Sequence, residues 1–249
     1  MSNIDLRFGD CFEGLKSIPD HSIDCIVTDP PYGNTNCDFD CIVDEPTLLR
    51  ELKRVIKPNR AVCIFCMLRM AVRLINIDHK WFRYEWIWTK NRATGFLDAK
   101  NKPLLAHEYI LIFSNNKTLY NPQFTYSKPY KVRHYGTCRQ YGKVIRTDTV
   151  NDGRRYPQTI INHKTKINGL VHPTQKPDGL CEYLIRTYSN AGDVILDPFA
   201  GSGTTAVAAI NSDRSFIGWE RDEGYYNAAV KRIETAKITK AETLPIDYD

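Results

Sequence analysis

The segment Asp29-Pro30-Pro31-Tyr32 constrains the fold most, because it follows the apolar run Ile23–Val27 at a distance of one residue. A run rich in β-branched residues predicts a buried strand, and the two prolines end it because neither donates to a sheet ladder. Their fixed φ angles allow the Asp29 carboxylate and the Pro30 carbonyl to face the same way, beside the Tyr32 ring. The segment predicts an acceptor site for a flat ligand with an amino group. A tight Pro-Pro exit from a strand, with a satisfied aspartate, is the alternative.

A second informative stretch begins at Asp197, where a short apolar strand gives way to a loop containing Gly201 and Gly203 and then to an alanine-rich helix. A glycine-rich turn between a strand and a helix brings backbone close to a ligand and offers free N–H groups. The following strand ends at Glu220, nineteen residues past Gly201, where a carboxylate is placed to bond ribose hydroxyls.

The pattern Gly201-x-Gly203-x-x-Ala206 also matches a dinucleotide-binding fingerprint, so a nicotinamide-dependent oxidoreductase is a competing interpretation. Asp197 argues against it. A carboxylate at this position favours a cationic, amine-bearing group and repels a pyrophosphate.

Strands and helices alternate along the chain, which predicts an α/β fold with a Rossmann-like doubly wound sheet. We expect the strands that precede Asp29 and Asp197 to be neighbours, so that both motifs open into one crevice. Residues 91–103 are polar and without periodicity, and are expected to form a mobile loop. Helices are expected over residues 11–18, 45–57, 70–78, 178–188 and 222–236.

Residues 115–170 form a basic block, with eleven Lys or Arg residues against two acids. The block carries a charge of +9 within a chain of net charge +5, so the rest of the chain carries −4. Seven aromatic residues are interleaved with the bases, which is typical of a surface that binds a polyanion. A solvated basic flap on a small-molecule enzyme is the alternative. The predicted domains are therefore residues 1–114, the insertion 115–170 and residues 171–249.

The eight cysteines indicate free thiols in a reducing cytosol, since the chain shows no apolar leader and no run of 18 apolar residues. We therefore expect a cytoplasmic protein with no membrane partner. Cys63 and Cys66 have the CxxC spacing of zinc and redox sites, but they interrupt an apolar strand, where buried cysteine is common. No convincing metal-ligand cluster is predicted.

Together these motifs resemble the DNA amino-methyltransferases, which methylate the exocyclic nitrogen of adenine or cytosine with S-adenosylmethionine. Asp29–Tyr32 is similar to their catalytic motif, Asp197–Gly203 to their cofactor loop, and His172–Pro177 to the segment before that loop. The catalytic motif comes first here and the basic block lies between the two. That order resembles the β class, a circular permutation in which the cofactor half of the sheet comes last.

The resemblance implies a role for each matching residue. It implies that Asp197 and Lys176 hold the amino and carboxylate groups of S-adenosylmethionine, that Glu220 binds its ribose and that Asp10 meets its adenine. The implied cofactor-binding residues are Asp10, His172, Thr174, Lys176, Asp197, Phe199, Gly201, Gly203, Thr204 and Glu220. The implied catalytic residues are Asp29, Pro30, Pro31 and Tyr32.

The basic block is expected to act as a target-recognition region on double-stranded DNA, and the target base must be flipped out of the stack. The expected DNA-binding residues are Arg133, Arg139, Lys143, Arg146, Arg154 and Arg155. The resemblance favours N6-adenine, because N4-cytosine members more often carry serine in place of Asp29; an N4-cytosine DNA methyltransferase is the alternative. It also implies a bacterial or phage-encoded protein of a restriction-modification kind, and leaves open a homodimer and a cognate restriction endonuclease.

Overall fold

A computed structural model describes residues 2–32, 43–133, 137–138, 144–145, 148–164 and 175–243. Two compact units divide the chain: a larger unit of Met1–Asn121 with Thr159–Asp249, and a smaller unit of Pro122–Gln158. The smaller unit lies within the predicted 115–170 insertion and is shorter than it at both ends.

The described strands are β1 (Ile4–Phe8), β2 (Ile23–Thr28), β3 (Ile56–Cys66), β4 (Phe82–Thr94), β5 (Leu105–Phe113), β6 (Thr125–Tyr126), β7 (Tyr130–Val132), β8 (Thr137–Cys138), β9 (Val144–Ile145), β10 (Thr149–Asn151), β11 (Arg154–Arg155), β12 (Ile160–Asn162), β13 (Val194–Asp197) and β14 (Ser215–Glu220). The described helices are α1 (Cys11–Leu15), α2 (Glu45–Val55), α3 (Leu68–Ile77), α4 (Asp178–Tyr188), α5 (Thr204–Asn211) and α6 (Glu223–Thr243), and a 3₁₀ helix covers Phe96–Asp98.

The larger unit is built on one eight-stranded sheet with the order β1-β14-β13-β2-β3-β5-β4-β12. Every neighbouring pair is parallel except those that involve β5, which runs opposite to β3 and β4. The apolar residues of α1, α2 and α3 pack in one core, and those of α4, α5 and α6 pack in another. Helices thus cover both faces, and the predicted Rossmann-like doubly wound sheet is confirmed.

The central pairing of the sheet joins β2 to β13, with Cys25 opposite Ile195 and Ile26 opposite Leu196. Both strands are buried and rich in Ile, Leu and Val, as parallel strands covered on both faces are. The buried Asp24 secures the start of this pairing, since its carboxylate accepts a hydrogen bond of 3.0 Å from the Val194 amide. The predicted contact between the two motif-bearing strands is therefore confirmed.

Several element boundaries differ from the sequence prediction, among them the ends of α6 and β4. α6 continues to Thr243, although residue 236 was its expected end. β4 continues to Thr94, so the first four residues of the expected 91–103 loop belong to a strand that pairs with β5. Cross-strand bonding decides this second difference, and it leaves no trace in hydrophobic periodicity. Among the described helices, none is both long and apolar enough to cross a membrane.

The two cysteines of the CxxC sequence face opposite sides of β3. Cys66 belongs to the core beneath α1–α3, and Cys63 to the core beneath α4–α6. Burial raises the pKa of both thiols above the usual range, so both stay protonated at neutral pH. Their three-residue spacing on a strand separates them, and they pack as small apolar side chains.

The smaller unit consists of nested antiparallel pairs, with β8 opposite β9, β7 opposite β10 and β6 opposite β11. Arg155 lies over the Tyr130 ring at 4.7 Å and donates a 2.7 Å hydrogen bond to the Lys128 carbonyl. Arg154 lies over the Phe124 ring at 5.5 Å and pairs with Asp152. These arginines therefore hold strands of the unit together, a structural role that the charge count alone does not indicate.

Gly218 on β14 fixes the spacing of the central strands. A Cβ atom at this position would lie 2.5 Å from Cζ of Phe216 and 2.6 Å from the backbone oxygen of Asp197. We expect Gly218→Ala to lower the free energy of unfolding by about 1–3 kcal/mol, because β13 cannot move away without loss of its pairing. Urea unfolding followed by circular dichroism measures the change.

Gly179→Ala is the matched control for this substitution. Its Cβ would lie 3.6 Å from Nδ1 of His163, an ordinary contact, and alanine favours the helix α4 by up to about 1 kcal/mol. A Gly218→Ala protein as stable as the wild type would contradict the close packing of β13 against β14.

Candidate active site

Four carboxylates lie at the carboxyl ends of four consecutive strands of the sheet. Asp10 follows β1, Glu220 ends β14, Asp197 ends β13 and Asp29 follows β2. The strands are parallel, so their carboxyl ends share one edge, which is where open α/β sheets bind ligands. The structure thus brings together the residues that the two sequence motifs predicted, although the motifs lie almost 170 residues apart.

Asp197 directly connects the two motifs. Its Oδ1 accepts a 2.8 Å hydrogen bond from Oγ1 of Thr28, the last residue of β2, and its Oδ2 accepts one of 2.7 Å from Oγ1 of Thr205. The Phe199 amide donates a third bond of 3.1 Å. Burial raises the pKa of Asp197 to about 6, although these three donors act to lower it. A carboxylate has about four acceptor positions, so one further donor fits.

The glycine loop has the left-handed backbone that its sequence predicts, with φ of 52° at Gly201 and 76° at Gly203. Gly203 is the N-cap of α5, and a Cβ there would lie 3.0 Å from Cβ of Ala229. Arg232 on α6 fixes the loop from behind by donating to the Ser202 carbonyl at 2.6 Å. The loop backbone is therefore held close to the sheet edge, with the start of α5 behind it.

Glu220 is half-buried beside this loop. Its Oε2 accepts a 2.9 Å hydrogen bond from the Gly201 amide, and its Oε1 accepts one of 2.7 Å from the Asp222 amide. Burial raises its pKa, although both amides act to lower it. The carboxylate is thus fixed in orientation by backbone groups on both sides.

Asp10 is exposed and has a local structural role that sequence reasoning did not assign to it. Its Oδ1 accepts hydrogen bonds from the Phe12 amide at 2.8 Å and the Glu13 amide at 3.2 Å, which makes it the N-cap of α1. Aspartate before a helix is itself a capping signal, so this role was readable from the sequence.

Both oxygens of Asp29 have partners within the protein. The Tyr32 hydroxyl donates to Oδ1 at 2.5 Å, and Nζ of Lys176 lies 2.5 Å from Oδ2. Pro30 is buried and Pro31 half-buried between the two polar residues. The ammonium also lies 5.7 Å from the centre of the Tyr32 ring. The sequence assigned Lys176 to a cofactor carboxylate, whereas the structure places it on the catalytic motif.

Glu108 on β5 is a site residue that sequence reasoning missed. Its Oε1 lies 2.5 Å from Nζ of Lys90, and its Oε2 lies 3.4 Å from Nζ of Lys176. Burial alone would raise the pKa of Glu108, but the two ammonium groups outweigh burial and lower it. Burial lowers the pKa of Lys176, but Asp29 and Glu108 together raise it above its usual range. A lone carboxylate at the start of the apolar strand 107–113 was the available signal.

The remaining predicted residues are placed as follows. Phe199 is half-buried and packs against the core beneath α1–α3, and Thr204 is the buried first residue of α5. Arg133, Arg154 and Arg155 belong to the smaller unit. His172, Thr174, Arg139, Lys143 and Arg146 lie outside the described residues. Within the described ranges, no three His, Cys, Asp or Glu residues are grouped to hold a metal ion.

Comparison with known proteins identifies a family for this arrangement. Residues 23–231 match the family model N6_N4_Mtase, described as a DNA methylase. The chain is 31% identical to Type II methyltransferase M.HinfI of Haemophilus influenzae, over 92% of this chain and 68% of that protein. It is 28% identical to DNA adenine methyltransferase YhdJ of Escherichia coli strain K12, over 95% of this chain and 84% of that protein.

Among solved structures, the crystal structure of the M1.HpyAVI-SAM complex is similar to this chain with a TM-score of 0.64 and 25% sequence identity. The similarity covers 92% of this chain and 98% of that one. It therefore spans both motif-bearing halves of the sheet.

The raised pKa of Asp197 predicts a pH dependence of stability. The folded value is about 6 and the ordinary value 3.8, so the folded protein binds the proton more tightly and ionisation destabilises it. The stabilisation from the protonated form is lost as the pH rises from about 4 to about 6. Relative to wild type, Asp197→Asn should therefore gain about 2–3 kcal/mol between pH 4 and pH 7.5, measured by urea unfolding.

Asp78→Asn is a control of opposite sign. Burial acts to raise the pKa of Asp78, but the hydrogen bond and the charge of Lys53 outweigh it and lower that pKa. The stabilisation from ionised Asp78 is lost as the pH falls, so this variant should lose stability relative to wild type over the same rise in pH. If the difference in free energy of unfolding between Asp197→Asn and wild type did not change with pH, the raised pKa of the buried Asp197 carboxyl would be contradicted.

Proposed function

The chain belongs to the N6/N4 DNA methylase family, and from that premise we propose that it transfers the methyl group of S-adenosylmethionine to the N6 amine of a flipped-out adenine in double-stranded DNA. The observation that carries the proposal is the contact between the two motifs, in which Thr28, one residue before Asp29, donates to Asp197 at 2.8 Å. A nucleophile bound at Asp29 and a cofactor bound at Asp197 would meet at one sheet edge. Because the chain belongs to the DNA methylase family, the alternative of a nicotinamide-dependent oxidoreductase is set aside.

The residues around the glycine loop fit S-adenosylmethionine. Asp197 has one acceptor position that no donor among the described residues uses, which suits the cofactor amine, and Glu220 is oriented beside Gly201 to accept from ribose hydroxyls. The left-handed Gly201 has no neighbouring atom closer than 4.0 Å to the position of a Cβ, so a ligand can approach its backbone. The M1.HpyAVI structure, which is a SAM complex, supports the same cofactor here.

The catalytic motif suits the activation of an exocyclic amine. Such an amine is a poor nucleophile because its lone pair is conjugated with the ring. The Asp29 carboxylate and the Pro30 carbonyl would accept its two hydrogens and return the lone pair to nitrogen, while Tyr32 stacks on the base. The bound cofactor supplies an electrophilic methyl group on a sulfonium. The nitrogen–methyl bond would form as the sulfur–methyl bond breaks, with the electron pair of that bond left on sulfur as a neutral thioether. The amine would then be cationic, and Asp29 is placed to take the proton that it sheds.

Lys176 and Glu108 act as positioning residues in this proposal. Lys176 holds one oxygen of Asp29 at 2.5 Å and so fixes which way the carboxylate faces. Glu108 lies behind it, 3.4 Å from the Lys176 ammonium, and its carboxylate keeps that ammonium charged, while Lys90 holds Glu108 in place at 2.5 Å. Salt bridges between partly buried groups with good geometry restrict rotation more than exposed pairs do.

Adenine is favoured over cytosine by the aspartate at position 29 and by the similarity to the adenine methyltransferase YhdJ. The family covers both bases, so the product must be identified directly. Genomic DNA incubated with the chain and methyl-labelled S-adenosylmethionine should give N6-methyladenine after digestion to nucleosides. Label in N4-methylcytosine alone would overturn the adenine assignment, and the absence of transfer to any DNA would overturn the proposal.

We propose that the smaller unit binds DNA phosphates through its exposed arginine and lysine side chains. Arg133 is exposed, whereas Arg155 is half-buried and engaged with Tyr130 and Lys128. Arg133 is therefore a better candidate for DNA contact than Arg155. The domain division of residues 1–114, 115–170 and 171–249, the homodimer and the cognate restriction endonuclease stay predictions.

Substitution of Asp29 separates chemistry from cofactor binding. Asp29→Ala removes the acceptor for the target amine, so methyl transfer should fall by at least about 100-fold, as for loss of one preorganised hydrogen-bonding group. Affinity for S-adenosylmethionine, measured by calorimetry, should stay within about 3-fold of wild type, below 1 kcal/mol. Asp29→Asn keeps the size but not the charge and should be similarly inactive. Loss of cofactor binding in both variants would show that Asp29 belongs to the cofactor site.

Glu108→Gln tests the positioning role of the buried carboxylate. Loss of its charge leaves Lys176 anchored only by Asp29, so kcat should fall by about 10-fold while the KM for cofactor stays constant, a loss of about 1.4 kcal/mol. Glu108 also raises the pKa of Asp29, so the acid limb of the pH–rate profile should move to lower pH. Glu85→Gln on the neighbouring strand β4 is the control and should change neither quantity. An unchanged profile would reduce Glu108 to a structural ion pair.

A further inference from the structure

The hairpin formed by β4 and β5 projects beyond the sheet edge that carries the candidate active site. The last pair between β3 and β5 joins Cys66 to Tyr109, and β5 has four earlier residues, which begin at Leu105. At about 3.3 Å per residue, these carry the hairpin about 13 Å past the end of β3. β4 runs parallel to β2, so its far end and Asp29 share one edge.

The root of this hairpin belongs to the ion-pair chain of the site. Lys90 on β4 and Glu108 on β5 are paired at 2.5 Å, and Glu108 reaches Lys176, which holds Asp29. The position of the hairpin is therefore fixed relative to the catalytic motif.

The tip of the hairpin, residues 95–104, exposes large apolar side chains. Phe96 is 76% exposed and Leu97 is 90% exposed, and Leu104 is exposed as well. Gly95, with a φ of 88°, turns the chain into the 3₁₀ helix that presents the first two. Scattered exposed apolar residues need no explanation, but two adjacent ones at the end of a projecting hairpin indicate a contact surface.

The charge around the tip complements a polyanion. Between Asn91 and Leu104 the chain has three basic residues, Arg92, Lys100 and Lys102, which are all exposed. It has one acidic residue there, Asp98. Proteins that deform DNA combine basic side chains of this kind with apolar side chains that insert between neighbouring base pairs. Extrusion of a base costs a few kcal/mol, and a wedge that occupies the space left in the stack lowers that cost.

We propose that the tip contacts the DNA duplex next to the target base and that Phe96 and Leu97 enter the base stack and stabilise the flipped state. This inference rests on the proposed function. It adds a second DNA contact, on the larger unit, that is separate from the basic block. The basic side chains around the tip, Arg92, Lys100 and Lys102, contact DNA phosphates. Phe96 and Leu97 lower the free-energy cost of flipping the target base.

The test compares a paired target with one that needs no unpairing. Sequencing of DNA from a host that expresses the chain gives the recognition site. The first duplex contains that site, and the second places an abasic position opposite the target base. Phe96→Ala/Leu97→Ala should lower kcat/KM at least about 10-fold on the first duplex, or about 1.4 kcal/mol, and less than about 3-fold on the second. Fluorescence of 2-aminopurine at the target position should show less base flipping by the variant.

Ile238→Ala is the matched control. Ile238 is 60% exposed on α6, near Lys240, which pairs with Asp213 just before β14 and so at the opposite edge of the sheet. This control should behave like wild type on both duplexes. Thermal unfolding of both variants should match wild type, because the substituted side chains are exposed.

Several outcomes would overturn the inference. Equal losses on the two duplexes, or no loss on the paired one, would exclude a role in base flipping. A lower oligomeric mass of the Phe96→Ala/Leu97→Ala protein without DNA would assign the tip to a contact with a second copy of the chain. Absence of methyl transfer to any DNA by wild type would overturn the proposed function, and this inference with it, and is distinct from failure of the tip variant alone.

Discussion

The pairing of β2 with β13 is the constraint on which the candidate site depends. The strands come from opposite ends of the chain, and a parallel pair of this kind needs a long connection. The Thr28 hydroxyl closes the pair at its carboxyl end by donating to Asp197 at 2.8 Å, and Asp24 secures the other end through the Val194 amide. Both bonds are made by buried side chains, those of Asp24, Thr28 and Asp197, and loss of a partner would leave a buried atom unsatisfied at a cost of about 1–3 kcal/mol. The relative position of the two motifs is therefore set by the sheet and not by the loops alone.

Charge balance is the second constraint, because carboxylates end four adjacent strands and their repulsion must be offset. The structure uses different means at different positions. Glu220 and Asp10 are held by backbone amides, and Asp197 by two hydroxyls and an amide. Asp29 alone is paired with a buried cation, Lys176. Burial raises the pKa of Asp29 and the charge of Lys176 acts to lower it, so the ion pair opposes protonation of the one residue proposed to accept from the target amine.

Sequence alone predicted the architecture and the meeting of the two motifs, because both follow from local signals: apolar strands, prolines and glycines at strand ends, and the order of elements. It did not predict the neighbours of Lys176, since Glu108 and Lys90 come from other strands and are brought together only by the register of β4 and β5. The arginines at 154 and 155 were counted as charges, yet their stacking on aromatic rings depends on the fold of the smaller unit. Local sequence patterns thus predict where strands end. Which side chains meet across neighbouring strands depends on the register of the folded sheet.

The hairpin of β4 and β5 shows how one element can serve two purposes without conflict. Its root must be rigid, because Glu108, which pairs with Lys90, holds Lys176 within a hydrogen bond's reach of Asp29. Its tip has few packing constraints: Phe96 and Leu97 are solvent-exposed and follow a left-handed glycine. A rigid root fixes the position of the tip relative to the catalytic motif. A tip that entered DNA would therefore do so at a fixed distance from Asp29, which is proposed to bind the target base. Substitutions that loosen the root would then impair chemistry and base flipping together, whereas those confined to the tip would impair flipping alone.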